Sequence, residues 1–272
     1  MGSGIAQTAL ASGYAVVLCD VSYSALERAR DQMKAELTRR WEKGDFPNTS
    51  VEHFISKLHT TTSLSDLSHC DLVIEAAIED LGVKQDIFRA LGATCSEECI
   101  LASNTSSLSI TEIASSSSVP GRVVGLHFFN PPSRMQLVEI VKGFHTSEET
   151  LLSCESFIAS LGRTPIAVKD TPGFIVNRVA RPFYGEALRL LGEDVAAVDT
   201  IDRIVKLEGG FKMGPFELMD LIGIDVNFSV TQSIYEQTFH EPRYRPHPIQ
   251  RMMVNAGQLG KKSGKGFYKY KP

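Results

Sequence analysis

The chain has 272 residues, of which 43% are apolar and 22% charged, and its formal net charge is −4. That is the composition of a globular protein with one large or two modest domains, and it supplies no global basic field for nucleic acid. No apolar run reaches the length of a membrane span. Five scattered cysteines read as reduced intracellular thiols, which points to the cytoplasm. Cys95 and Cys99 stand four apart with no histidine nearby, so no metal site is expected.

Residues 3–12 are small and apolar, as in a helix packed closely on a sheet. "YAVVLCD" predicts a strand closed by Asp20. Leu26, Ala29, Met33, Leu37 and Trp41 then recur at spacings of three and four, one face of a helix, and a second helix is expected around Val51 to Leu58. "DLVIEAAI" is a continuous apolar run, typical of a parallel strand buried on both faces. "KQDIFRALGATC" predicts a helix and "CILASN" a strand. Ser109 and Glu112 predict a capping box opening a short helix, and "SSSS" at 115–118 a solvated loop. "RVVGLHFF", "QLVEIV" and "TPIAVK" are three more strands, with a helix over 147–161 between the last two.

After "KDTPGF" the pattern turns helical. Thr171 is placed to cap a helix and Pro172 suits its first turn. That helix runs through "FIVNRVARPFYGEALRLL" with a kink at Pro182. Further helices are expected at about 197–207, 215–222, 225–238 and 247–256, with a short strand in "GFYKY". The predicted architecture is a doubly wound, Rossmann-type α/β domain over residues 1–170, followed by an all-helical domain over 171–272.

A doubly wound sheet binds its dinucleotide at a glycine turn, with the pyrophosphate on the N-terminus of the next helix. Gly2 fits the third glycine of that fingerprint. Asp20 lies where an acid accepts from the adenosine ribose, and an acid there repels a 2′-phosphate, favouring NAD over NADP. Glu139 sits inside the apolar strand "QLVEIV", where a carboxylate is almost never unpaired. His127, after "RVVGL", is the best candidate partner. Such a pairing fixes the imidazole tautomer and suits it to take a proton from an alcohol. Asn177 lies within the first helix of the second domain.

The segments "SNTSSL", "HFFNPP", "DTPGFIVNR", "MGPFELMDLIG" and "GKKSGKGFYKY" resemble, in order and spacing, the 3-hydroxyacyl-CoA dehydrogenase family, across essentially the whole chain. The resemblance implies NAD-dependent interconversion of an (S)-3-hydroxyacyl-CoA and a 3-ketoacyl-CoA. It implies that His127 is the base and that Glu139 orients it. Ser106 would bond the substrate oxygen and Asn177 would help polarise it. Asp20 would hold the ribose, while Glu79, Lys84, Asn104 and Asn130 line the nicotinamide side. Lys43 falls near the arm that reaches the CoA phosphates. The helical domain would form a homodimer.

The front departs from the family pattern. The family motif resembles "GAGTMGSGIA" after an apolar strand, and the chain starts at the methionine within it, so the sheet is expected to lack its first strand. Two other functions stay open: an NAD enzyme acting on a free hydroxy or sugar acid, and a catalytically impaired dimer that keeps only the acyl-CoA groove.

Overall fold

A computed structural model describes residues 1–46 and 48–270, which form two compact units that divide between residues 171 and 172. In the first unit, α1 (Gly2–Ala11) leads into β1 (Val16–Cys19). Helices α2 (Tyr23–Glu42) and α3 (Val51–Ser56) follow, then β2 (Leu58–Thr61), β3 (Leu72–Glu75), α4 (Leu81–Thr94) and β4 (Ile100–Ser103). The unit closes with α5 (Ile110–Ala114), β5 (Val123–Phe128), β6 (Leu137–Lys142), α6 (Glu148–Ser160) and β7 (Thr164–Lys169). Side-chain caps explain many of these starts. Ser22, Ser50, Asp80, Ser109 and Ser147 each accept from a backbone N–H three residues on.

Among the described residues the sheet comes in two hydrogen-bonded pieces. Strands β1 and β2 pair in parallel, and the larger piece has the order β3-β4-β5-β6-β7. β3, β4 and β5 are mutually parallel, but β6 runs antiparallel to β5 and parallel to β7. Helix α1 spans both pieces. Its Ile5 and Ala9 pack in a core with Ala102, Val124, Leu126 and Ile140, while Ala6 and Leu10 pack with Met33 and Leu58. The apolar run of β3 was expected to be buried on both faces, yet Leu72, Val73 and Ile74 are half-buried, as are all four residues of β1. Each is an edge strand of its piece, so the order matches a doubly wound sheet interrupted between β1 and β3.

Five other expectations change in detail. Strand β2 was not predicted, because "LHTT" carries neither an apolar run nor a clear alternation. Trp41 ends the α2 stripe half in solvent, since the helix outruns its support, while Ser117 in the serine loop is buried. Thr171 does not cap a helix. Gly173 (φ 75°) and Phe174 (φ 49°) are left-handed, so helical geometry begins only at Val176. "GFYKY" makes isolated bridges in place of a strand, because the backbone N–H groups of Phe267 and Tyr268 donate to the buried Asp220 carboxylate.

The second unit is helical: α7 (Val176–Gly192, containing Pro182), α8 (Val198–Leu207), α9 (Pro215–Ile222), α10 (Ile224–Gln237) and α11 (Pro248–Asn255). Its core gathers Tyr184, Leu188, Ile201, Phe216, Met219 and Ile224. Two buried acids fasten it. Asp202 accepts from Phe216 N and Glu217 N at the start of α9 and from the Tyr268 hydroxyl at 2.8 Å. Asp220 also accepts from the Tyr270 hydroxyl at 3.0 Å.

Candidate active site

His127 and Glu139 are directly opposed in the antiparallel β5–β6 register, so their side chains leave the same face of the sheet. Nδ1 of His127 lies 2.7 Å from Oε2 of Glu139. Both are buried, Glu139 to 1% exposure, and the Phe129 ring packs on the imidazole with centroids 4.5 Å apart. A short bond to a buried carboxylate holds Nδ1 as the donor and leaves Nε2 as the ring position suited to proton transfer.

Ser106 is on the loop that leaves β4. This loop is organised by Glu79, beyond the end of β3. One oxygen of Glu79 accepts from Thr105 Oγ1 at 2.6 Å, Ser106 N at 2.9 Å, Ser106 Oγ at 3.1 Å and Ser107 N at 3.2 Å. Burial alone raises the Glu79 carboxyl, but the bonds from Thr105 and Ser106 and the charge of Lys84 outweigh it and hold it below the usual range. Asn104 joins the loop to the histidine strand, its Oδ1 accepting from Phe128 N at 2.9 Å. The structure therefore ties Ser106, Glu79 and Asn104 into one network that reaches the strand of His127. Lys84 belongs to it from below: its ammonium is buried, 2.7 Å from Glu75 and 3.5 Å from Glu79. Glu75, Ser103 and Thr105 were not anticipated, although the same signal that exposed Glu139, an acid inside an apolar run, was present in "DLVIEAAI".

The remaining candidates are spread more widely. Gly2 is the first residue of α1, and N–H groups at a helix N-terminus favour an anion. Nearby, a side chain on Gly4 would come within 3.1 Å of the Pro132 ring, a tight contact that would require the ring to shift by a few tenths of an ångström. Asp20 is exposed just past β1, one of its oxygens accepting from Ser22 N at 2.9 Å. Asn130 is exposed and precedes the cis bond to Pro131. Lys43 is exposed at the C-terminal cap of α2. Asn177 sits in the first turn of α7, in the second unit. A helix N-terminus for a pyrophosphate and an exposed strand-end carboxylate for ribose hydroxyls form a donor and acceptor set that fits NAD. Among the described residues no group of three or more His, Cys, Asp or Glu side chains is arranged to hold a metal ion, and no helix is long and apolar enough to cross a membrane.

Comparison with known proteins places the whole chain in one family. The chain is 46% identical over 271 residues to 3-hydroxyadipyl-CoA dehydrogenase of Escherichia coli K12, covering all of the chain but 57% of that longer protein. It is 40% identical over 270 residues to 3-hydroxybutyryl-CoA dehydrogenase of Clostridioides difficile, covering 99% of the chain and 96% of the relative. The crystal structure of (S)-3-hydroxybutyryl-CoA dehydrogenase from Ralstonia eutropha superposes with a TM-score of 0.96 at 39% identity, covering 100% of the chain and 96% of that one. Residues 1–171 match the NAD binding domain of 3-hydroxyacyl-CoA dehydrogenase and residues 173–270 its C-terminal domain, so the chain belongs to the 3-hydroxyacyl-CoA dehydrogenase family.

Proposed function

We propose that the chain interconverts an (S)-3-hydroxyacyl-CoA and a 3-ketoacyl-CoA, with His127 as the general base. The observation that carries this is the buried His127–Glu139 pair, 2.7 Å apart. In the oxidising direction Nε2 takes the substrate hydroxyl proton, and Glu139 stabilises the imidazolium that results. Bound NAD would supply the acceptor for the hydride of the carbon that bears this hydroxyl. Ser106 bonds the substrate oxygen and Asn177 helps polarise it. Gly2 and Asp20 hold the pyrophosphate and the adenosine ribose, while Glu79, Lys84, Asn104 and Asn130 serve the nicotinamide side and Lys43 the CoA phosphates. Relatives named for 3-hydroxybutyryl and 3-hydroxyadipyl thioesters favour a short acyl chain, and the proposed reaction itself suits a role in fatty acid breakdown. The first domain, residues 1–170, is the cofactor domain. The second, 171–272, serves substrate binding and dimerisation, and it exposes Val179, Leu207, Phe211 and Met252 as apolar surface that a second copy would cover. Five free thiols favour a cytoplasmic setting.

The test compares NAD reduction with (S)-3-hydroxybutyryl-CoA and with free 3-hydroxybutyrate. Turnover of the thioester alone is expected. Equal efficiency with the free acid would replace this function with that of a hydroxy-acid dehydrogenase, and acyl-CoA binding with neither NADH binding nor turnover would leave a silent acyl-CoA-binding dimer.

A further inference from the structure

Glu75 is a second carboxylate that an apolar strand does not admit without partners. It ends β3 and is 6% exposed. Its Oε1 accepts from Lys84 Nζ at 2.7 Å and Ala77 N at 2.6 Å, and its Oε2 from Ser103 Oγ at 2.6 Å. Ser103 is its register partner on β4 and accepts in turn from Thr105 N at 3.3 Å. The Glu75 carbonyl accepts from Asn104 N at 2.8 Å. One residue thus grips the chain at 103, 104 and, through Ser103, at 105, immediately before Ser106.

Lys84 determines what the carboxylate does there. The buried ammonium faces two acids and is in close contact with only one of them, Glu75. Glu79 commits its other oxygen to Thr105, Ser106 and Ser107. A buried charge stripped of one partner turns to the next. Among the described residues Glu79 is the other carboxylate paired with this ammonium, and closing their 3.5 Å gap to a full charge-assisted bond draws it off the loop.

We propose that Glu75 is a positioning residue for the reaction: by holding the Lys84 ammonium and Ser103, it keeps Glu79 on the 105–107 loop and so fixes where Ser106 stands. This rests on the proposed role of Ser106 as the hydrogen-bond partner of the substrate oxygen.

The experiment measures acetoacetyl-CoA affinity of the full chain by calorimetry without NAD, and melting in parallel. Glu75→Gln keeps the shape and removes the charge; affinity is expected to fall at least tenfold. In a Ser106→Ala background the same change should alter affinity less than twofold, because the hydroxyl it misplaces is already gone. Glu75→Gln with Lys84→Met should return affinity to within threefold of the parent, since no ammonium remains to pull Glu79 away. Independent, multiplicative losses from Glu75→Gln and Ser106→Ala would show a merely structural role and overturn the proposal, as would failure of Lys84→Met to restore affinity. Should Glu75→Gln not fold, Glu75→Asp, which keeps the charge and shortens its reach, is expected to show the same dependence on Ser106, and independence overturns the proposal. If Ser106→Ala alone leaves affinity unchanged, the role of Ser106 fails and the inference with it. If Ser106→Ala weakens binding and Glu75→Gln does not, the inference alone fails.

Discussion

Replacing Glu139 by Gln tests the catalytic pair with little change of shape. The amide oxygen can still accept from Nδ1 of His127, so the ring stays in place and the neutral state keeps an ordinary hydrogen bond. What is lost is the charge opposite the imidazolium that forms as the proton arrives. With a contact of 2.7 Å between Nδ1 and Oε2, the two charge centres lie about 4 Å apart, and at an effective dielectric of ~20 their attraction is about 4 kcal/mol. Relaxation and the retained neutral bond reduce this to roughly 3 kcal/mol, which corresponds to a fall of about two orders of magnitude in kcat. Because the loss falls on the transition state, KM should change little. Initial rates of (S)-3-hydroxybutyryl-CoA oxidation, followed through the appearance of NADH absorbance, give both constants. A kcat within about threefold of the parent would show that Glu139 does not stabilise a charged His127, and the base would have to be sought elsewhere.

Three further outcomes are expected. Asp20→Ala should raise kcat/KM with NADP relative to NAD at least tenfold, because the exposed carboxylate no longer repels a 2′-phosphate; an unchanged ratio in steady-state kinetics would remove Asp20 from cofactor choice. In the helical unit, burial raises the Tyr268 and Tyr270 phenols, reinforced by the hydrogen bonds they give to Asp202 and Asp220. Their folded values lie above the unfolded value of 10.0, so their contribution is whole below that pH and is lost as pH rises past it. Tyr268→Phe with Tyr270→Phe should therefore melt lower at neutral pH but lose less Tm between about pH 9 and 11 than the parent; parallel curves would contradict the assignment. Finally, β1 and β3 are half-buried edges that share no ladder, so an extension ahead of Met1 carrying an apolar strand and "GAGT" should raise Tm and tighten NADH binding at least tenfold. Equal Tm and equal Kd, measured by calorimetry, would mean that those edges do not take a strand.

How far the sequence disclosed the fold depended on how local each cause was. Helices α6 to α11 were legible to within a residue or two, except at the start of α7, because their caps and apolar spacing lie within the segment itself. The false start at Thr171 came from two left-handed residues, Gly173 and Phe174. Only the glycine advertises such a conformation, and a phenylalanine there is imposed by its surroundings. Strand β2 was invisible for a related reason. "LHTT" is a strand because β1 lies beside it in register, with Val16 opposite Leu58, and nothing within four residues encodes that neighbour.

The site was more legible than the fold around it, because a misplaced charge is a stronger signal than a propensity. Glu139 in an apolar strand demanded a partner, and His127 was named for it without any knowledge that β6 runs antiparallel to β5. That reversal sets the two side by side; a parallel β6 would not have given the same direct opposition of 127 and 139. Chemistry thus located the pair while topology, which was not readable, built it. Applied evenly, the same rule would have found Glu75, since "DLVIEAAI" breaks its apolar run in the same way. The buried lysine that answers it, nine residues on and one turn into α4, stood out in the sequence only through the family resemblance, which put it on the nicotinamide side and said nothing of Glu75. Only packing shows that Lys84 faces inward, and with it that the loop carrying Ser106 hangs from two acids and one ammonium as well as from its own turn bonds to Thr105.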